Sequence, residues 1–368
     1  MKGFEDMEAN NGRERSRGGG GKLFTPRIAL VVPVFNTEKY IAECLSSIIA
    51  QNYSNFVAFI IDDGSIDSSA KIASEFVERD PRLKFIQKKN GGVSSVRNLA
   101  LDIIEKDGKF DYVAFIDSDD VITVDYFNII LNSVKAGPPD GIFIGVEVFD
   151  KLGRRIQKKP YRKNIHCINE KEIFDFAFCM GAFYKSKSPA SFFGLCNLIF
   201  SGSIIKGFRF NEALSVGEDL DFKKKVILTM TNAVVNPGIA YLYRLRKGSL
   251  SHSMVVRHSD YSLFLDWLNT EKKLLPEQRI NLEEIVFNGW WNCLRVAYCS
   301  GTLSEHFDVF KSALLNMQNV FVSDVLARGK NKKRIFIYNL GRVAVCVYFG
   351  IVIKNKLEVF DENKEYFE

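Results

Sequence analysis

Three aspartates fall within four residues at Asp117-Ser118-Asp119-Asp120, concentrating acceptor-only oxygen at one point of the chain. Carboxylates this close suit an oxygen-preferring divalent cation, Mg or Mn. Such a cation would let the segment face a diphosphate that the bare charges would repel, and would stabilise charge gathering on it as it departs. A short pattern of this kind also occurs in loops and helix caps. The apolar run Tyr112–Ile116 leading straight into it favours the metal. Asp62-Asp63 likewise ends an apolar run. The pair can accept hydrogen bonds from a base N–H or a ribose hydroxyl, or serve only as a turn with an aspartate cap, and both readings stand. Arg97, a helical turn beyond Gly91-Gly92, is placed to reach a phosphate, although a surface arginine on a helix is the commoner case. Glu218-Asp219, preceded by Gly217, offers a general base for a hydroxyl that must lose its proton as it attacks. Acidic residues also favour the start of any helix, and spacing alone prefers that plainer account.

These groups need elements to hold them. Ile28–Val34 reads as a strand, followed by a helix capped by Asn36 or Thr37 whose apolar residues Tyr40, Ile41, Cys44, Leu45, Ile48 and Ile49 recur at three-and-four spacing. Phe56–Ile61 is a second strand, with a helix from near Asp67; Leu83–Gln87 is a third, with a helix carrying Ser94, Arg97 and Asn98. Tyr112–Ile116, a helix from about Val124 and a strand over Ile142–Val148 complete this half. Strands alternating with helices predict an α/β fold: a Rossmann-like, mostly parallel sheet flanked by helices, with the carboxylates at its C-terminal edge. Residues 151–180 carry no motif that can be placed, and beyond about Ser259 helical periods predict a helical C-terminal extension.

The 368 residues carry a net charge of +6, with basic residues scattered except at Arg328, Lys330, Lys332, Lys333 and Arg334, so no nucleic-acid partner is expected. Seven cysteines without ligand spacing fit thiols in a reducing compartment, and the cytoplasm is the expected location. Residues 1–25, with the run Gly18–Gly21, read as a flexible leader. Ile335–Ile353 is strongly apolar, but Asn339 and Arg342 interrupt it, so a spanning helix is disfavoured. A peripheral contact with the inner face of the cytoplasmic membrane, through the preceding basic cluster, and a buried helix remain equal alternatives. The C-terminal helices also offer a contact for a homo-oligomer.

The ordered set of motifs resembles family-two glycosyltransferases with the GT-A fold, whose bacterial members build capsules, lipopolysaccharides and other surface glycans. It runs from Val31-Val32-Pro33-Val34-Phe35-Asn36 with Glu38-Lys39-Tyr40-Ile41, through Ile61-Asp62-Asp63-Gly64-Ser65 and Asn90-Gly91-Gly92-Val93-Ser94 with Arg97-Asn98. It continues through Phe115-Ile116-Asp117-Ser118-Asp119-Asp120 to Gly217-Glu218-Asp219-Leu220, and to Tyr243-Arg244 followed by Ser249 and Ser251. The resemblance implies a catalytic domain over 26–255, its nucleotide-binding half ending near 150 and its acceptor half following, with 256–368 as the extension. Pro33, Phe35 and Glu38, with Asn36, match the loop that holds the nucleoside. Asp63 matches the aspartate that reads uracil, with Asp62, Asn90, Gly91, Arg97 and Ser118 completing the nucleotide-sugar site. Asp119 matches the direct metal ligand, with Asp117 nearer the ribose and Asp120 assisting; His252 stands where some relatives supply a histidine to metal or phosphates, and Ser249–Ser253 matches a lid. Asp219 matches the catalytic base and Glu218 its support. The implied reaction is inverting transfer from a UDP-sugar donor to a glycan or glycolipid acceptor. A nucleotidyltransferase of related fold would want a glycine-rich basic first loop, which Pro33–Glu38 lacks, and a binding-only module would not be expected to keep Asp117, Asp119 and Asp219. Donor sugar and acceptor are left open.

Overall fold

The uninterrupted apolar run Ile28–Val34 forms β1, nearly all of it buried, as a strand covered on both faces requires. The computed structural model of the protein describes residues 24–149, 165–170, 172, 173, 177, 194–214 and 217–244. Strands β2 (Phe56–Asp62), β3 (Leu83–Gln87) and β4 (Tyr112–Phe115) join β1 in parallel, in the spatial order β3-β2-β1-β4. Helices α1 (Ile41–Ile49), α2 (Ser69–Val77) and α3 (Val93–Asp107) make the connections. Four strands running one way deliver Phe35, Asp63, Lys88 and the Asp117–Asp120 loop to one edge. Because β2 and β3 lie to one side of β1 and β4 to the other, the order reverses there and a crevice opens between the ends of β1 and β4.

The chain continues with β5 (Val121–Ile122), α4 (Tyr126–Ser133), β6 (Gly141–Phe149), β7 (His166–Asn169), β8 (Leu198–Ser201), α5 (Gly202–Ile205), α6 (Glu218–Ile227) and β9 (Asn232–Arg244). The sheet extends as β4-β8-β6-β9-β5, with β7 also on β9. Here the expected parallel pattern gives way: β8 is antiparallel to β4 and β6, and β9 is parallel to β6 but antiparallel to β5 and β7. The sheet is therefore mixed, and its parallel half carries the crevice.

One packed layer joins Ile28, Leu30, Val32 and Val34 of β1 to Ile41, Cys44, Leu45 and Ile48 of α1. The three-and-four spacing of the helix places those four side chains on one stripe. Against the opposite face, Phe115 of β4, Phe200 of β8 and Phe222 of α6 meet edge to face, and Phe210 stacks on Phe222 with centroids 3.9 Å apart. That aromatic cluster seats α6, the helix carrying Glu218 and Asp219, against the strand that ends in the aspartate loop.

The expected cap of α1 is corrected. Tyr40, not Asn36 or Thr37, is the N-cap residue and makes no side-chain capping bond. Asn36 turns to φ 51° and accepts from the Ile66 amide at 3.0 Å, while the Thr37 amide donates to Ser69 Oγ at 2.8 Å. Both side chains serve the crevice wall, while the Thr37 carbonyl accepts from the Tyr40 and Ile41 amides at the start of the helix. Phe24 and Thr25 apart, the expected leader lies outside the described residues, as do His252, the 249–253 segment, Ile335–Ile353 and the C-terminal extension. Among the described residues no helix is long and apolar enough to cross a membrane.

Candidate active site

Two loops clasp each other to form one wall of the crevice. The Asn36 amide donates to Ser65 Oγ at 3.0 Å, the Glu38 amide to Asp67 Oδ2 at 3.1 Å, and Glu38 Oε2 accepts from the Ser68 amide at 3.0 Å. This leaves the Phe35 ring 47 % exposed at the edge, with Pro33 half-buried beneath. Asp62 and Asp63 behind the wall differ sharply. Asp62 is fully buried; its Oδ2 accepts from the Ser65 amide and Gln87 Nε2, both at 3.1 Å, while Oδ1 has no partner among the described residues. Asp62 thus closes a turn from within the wall. Asp63 Oδ1 accepts from the Gly91 amide at 3.0 Å and Lys88 Nζ at 2.8 Å, and Oδ2 from the Gly92 amide at 2.7 Å. Gly91 admits the lysine, since a Cβ there would stand 2.9 Å from Nζ and 2.6 Å from Ser95 Oγ. Asn90 is exposed beside them.

The aspartate loop is held from within. The Asp117 amide donates to the Tyr241 hydroxyl at 3.1 Å, Thr37 Oγ1 to Ser118 Oγ at 3.1 Å, and Arg244 Nε to the Asp119 carbonyl at 2.8 Å. Asp120 is 1 % exposed, its Oδ2 accepting from the Tyr241 hydroxyl and its Oδ1 from the Arg244 amide, both at 2.7 Å. Asp117 and Asp119 are only partly buried. Loss of solvent pushes the Asp117 carboxyl up; Arg97 opposes this, and Asp119 and Asp219 add to it.

Gly217, at φ 76°, lies in the left-handed region that favours glycine and turns the chain into α6, so Glu218 and Asp219 open the helix at the crevice. Arg97 is 5 % exposed, which corrects the surface alternative. Its Nη2 donates to Asp117 Oδ1 at 3.2 Å and its Nη1 to Glu218 Oε1 at 3.0 Å. The guanidinium thus bridges two carboxylates 101 positions apart in sequence, where a phosphate had been expected. Burial raises Glu218 to about 7, with Asp219 adding to the rise and Arg97 opposing it. Beneath, Lys223 of α6 is fully buried with Nζ 3.4 Å from Asn197 Oδ1, and burial lowers it to about 8 against the pull of Asp219.

Lys88, Tyr241 and Lys223 escaped the reading of the sequence. Lys88 had a cue in its place just ahead of Asn90-Gly91-Gly92. Tyr241 had none, because its bond to Asp120 spans 121 positions.

An open α/β sheet with acidic side chains gathered in the crevice at its switch point defines a nucleotide-binding enzyme scaffold. Residues 29–188 match the model of glycosyl transferase family 2, and the fold is that of GT-A glycosyltransferases. Glycosyltransferase GlyA of Streptococcus pneumoniae serotype 4 is 31% identical over 243 residues, covering 62% of this chain and 32% of GlyA. The minor teichoic acid biosynthesis protein GgaB of Bacillus subtilis is 24% identical over 335 residues, covering 86% of this chain and 35% of GgaB. The chain thus spans about a third of the length of each. The crystal structure of S. aureus TarS 1-349 in complex with UDP-GlcNAc superposes with a TM-score of 0.53 at 19% identity, covering 80% of this chain and 92% of that one.

Proposed function

We propose that the chain transfers a sugar from a UDP-sugar to an acceptor hydroxyl of a surface glycan, with inversion at the anomeric carbon and Asp219 as general base. The observation that carries this reading is the Arg97 bridge, which holds the helix of Glu218 and Asp219 against the end of the strand that presents Asp117 and Asp119. A base thereby stands beside the carboxylates that would meet the donor's diphosphate. Binding of UDP-GlcNAc by the fold relative TarS and the teichoic acid role in the name of GgaB support the donor and the acceptor class. On this reading residues 26–255 form the catalytic domain, and 256–368 offer the surface for a membrane or a second copy.

The residues can be tested for a divalent cation. Among the described residues no group of three or more His, Cys, Asp or Glu side chains could hold one, so the described residues form no all-protein cage. Asp117 and Asp119, part-exposed with excess negative charge about them, fit a cation shared with a diphosphate. When bound, Mn or Mg would neutralise charge on the leaving diphosphate. The chain's own groups do the rest. Phe35, with Asn36 and Glu38 fixing its loop, covers the nucleoside; Asp63, held by Lys88 and the Gly91 and Gly92 amides, accepts from the uracil edge; Asp219 takes the acceptor proton while Glu218 and Arg97 keep its helix turn in place.

Release of nucleoside diphosphate from a panel of nucleotide sugars, with Mn or Mg and with chelator, tests the proposal. Release from one donor that needs metal and drops by a factor of about 10² to 10⁴ in Asp219→Asn, with donor binding kept, is expected. Full activity in Asp219→Asn would sink the base assignment. Donor binding without turnover in any condition would mark a binding-only protein.

A further inference from the structure

We propose that Asp120 is the internal anchor of the aspartate loop, and that Tyr241 and Arg244 are positioning residues that hold Asp117 and Asp119 in the geometry a cation needs. The inference rests on the reading of Asp117 and Asp119 as the cation's ligands. Its basis is a division of labour among three aspartates that look equivalent in sequence. Asp120 is 1 % exposed, with each oxygen committed to a 2.7 Å bond, Oδ2 to the Tyr241 hydroxyl and Oδ1 to the Arg244 amide. A cation at Asp120 would have to enter where solvent does not reach and share oxygens that already serve two buried donors. Asp117 and Asp119 are part-exposed instead.

The same two residues of β9 also fix the backbone on either side. One Tyr241 hydroxyl donates to Asp120 and accepts from the Asp117 amide at 3.1 Å, so a single oxygen ties both ends of the four-residue loop. Arg244 Nε grips the Asp119 carbonyl at 2.8 Å, while Nη2 bonds Glu43 Oε2 of α1 at 2.6 Å and the guanidinium lies 4.4 Å from the Phe149 ring centroid. Arg244 is itself immobilised, 7 % exposed, so what it holds is held rigidly. With its backbone and third carboxylate drawn inward, the loop has its two remaining carboxylates directed at the crevice at no cost of ordering when a cation arrives.

The test is binding of Mn²⁺ to the full chain in the presence of UDP, followed by the electron paramagnetic resonance of free Mn²⁺, in wild type, Tyr241→Phe, Asp120→Asn, their combination and Asp119→Ala. Tyr241→Phe keeps the ring and removes only the bridging oxygen; it should weaken Mn²⁺ binding by about tenfold while binding of UDP alone holds, with the melting temperature lower by roughly 5 °C because two groups lose their partner. Adding Asp120→Asn to it should cost less than about a further threefold, because the two changes break one shared bond. Wild-type binding in Tyr241→Phe would overturn the inference, and so would a loss in Asp120→Asn as complete as in Asp119→Ala whatever stands at 241, which would make Asp120 a ligand. Absence of Mn²⁺ binding to the wild type with UDP would overturn the cation reading itself, and this inference with it.

Discussion

Arg97 serves two carboxylates 101 positions apart in the chain, and its burial makes that service costly to lose. Arg97→Met would leave Asp117 and Glu218 facing each other with no cation between them. Breaking a buried pair by removing one partner costs about 3–5 kcal/mol, the loss expected in urea unfolding. Glu218 supplies a pH signature. Its carboxyl is raised from an ordinary 4.5 to about 7, so the folded chain holds that proton more tightly than the unfolded one. The resulting stability is full below the ordinary value and is lost as pH rises through about 7. Glu218→Gln should therefore flatten the fall in melting temperature across that window relative to wild type. At this scale the sequence was legible where a residue type has one use and opaque where it has several. Asp62 and Asp63 are adjacent and identical, yet one closes a turn and the other faces Lys88, and only the packing of β3 beside β2 separates them.

Among the elements, the apolar run of β1 was readable to the residue because a strand buried on both faces admits no polar interruption. Strand direction was not readable. Leu198–Ser201 is as apolar as its neighbours, but its antiparallel insertion between β4 and β6 depends on how the chain returns to the sheet, which periodicity does not encode. The start of α1 was misplaced for a related reason, since the Asn36 side chain is claimed by the facing loop and Thr37 Oγ1 by Ser118. At the entry to α6 the local requirement is strict. Gly217→Ala would force a side chain into φ 76°, a penalty of about 1–2 kcal/mol. Relaxation that relieves it would shift the turn that presents Asp219. The expected result is a loss of kcat much larger than the thermal destabilisation, with KM for the donor little changed.

For the whole molecule, the overall charge of +6 conceals a crevice of the opposite sign, where Asp117, Asp119, Asp120, Glu218 and Asp219 outnumber Arg97, Arg244 and Lys223. A ligand that brings its own cation should therefore be felt throughout the fold. UDP with Mn²⁺ at a hundred times its dissociation constant is worth about 2.7 kcal/mol to the folded state, and the melting temperature should rise accordingly. Chelator or Asp119→Ala should reduce the rise to that given by UDP alone. The reach of Tyr241 back to Asp120, across 121 positions, also sets an order of events while the protein is being made. At about 5–20 residues per second a ribosome delivers the aspartates roughly ten seconds before the hydroxyl that ties them down, so a nascent chain carries the acidic loop untethered until β9 has been synthesised.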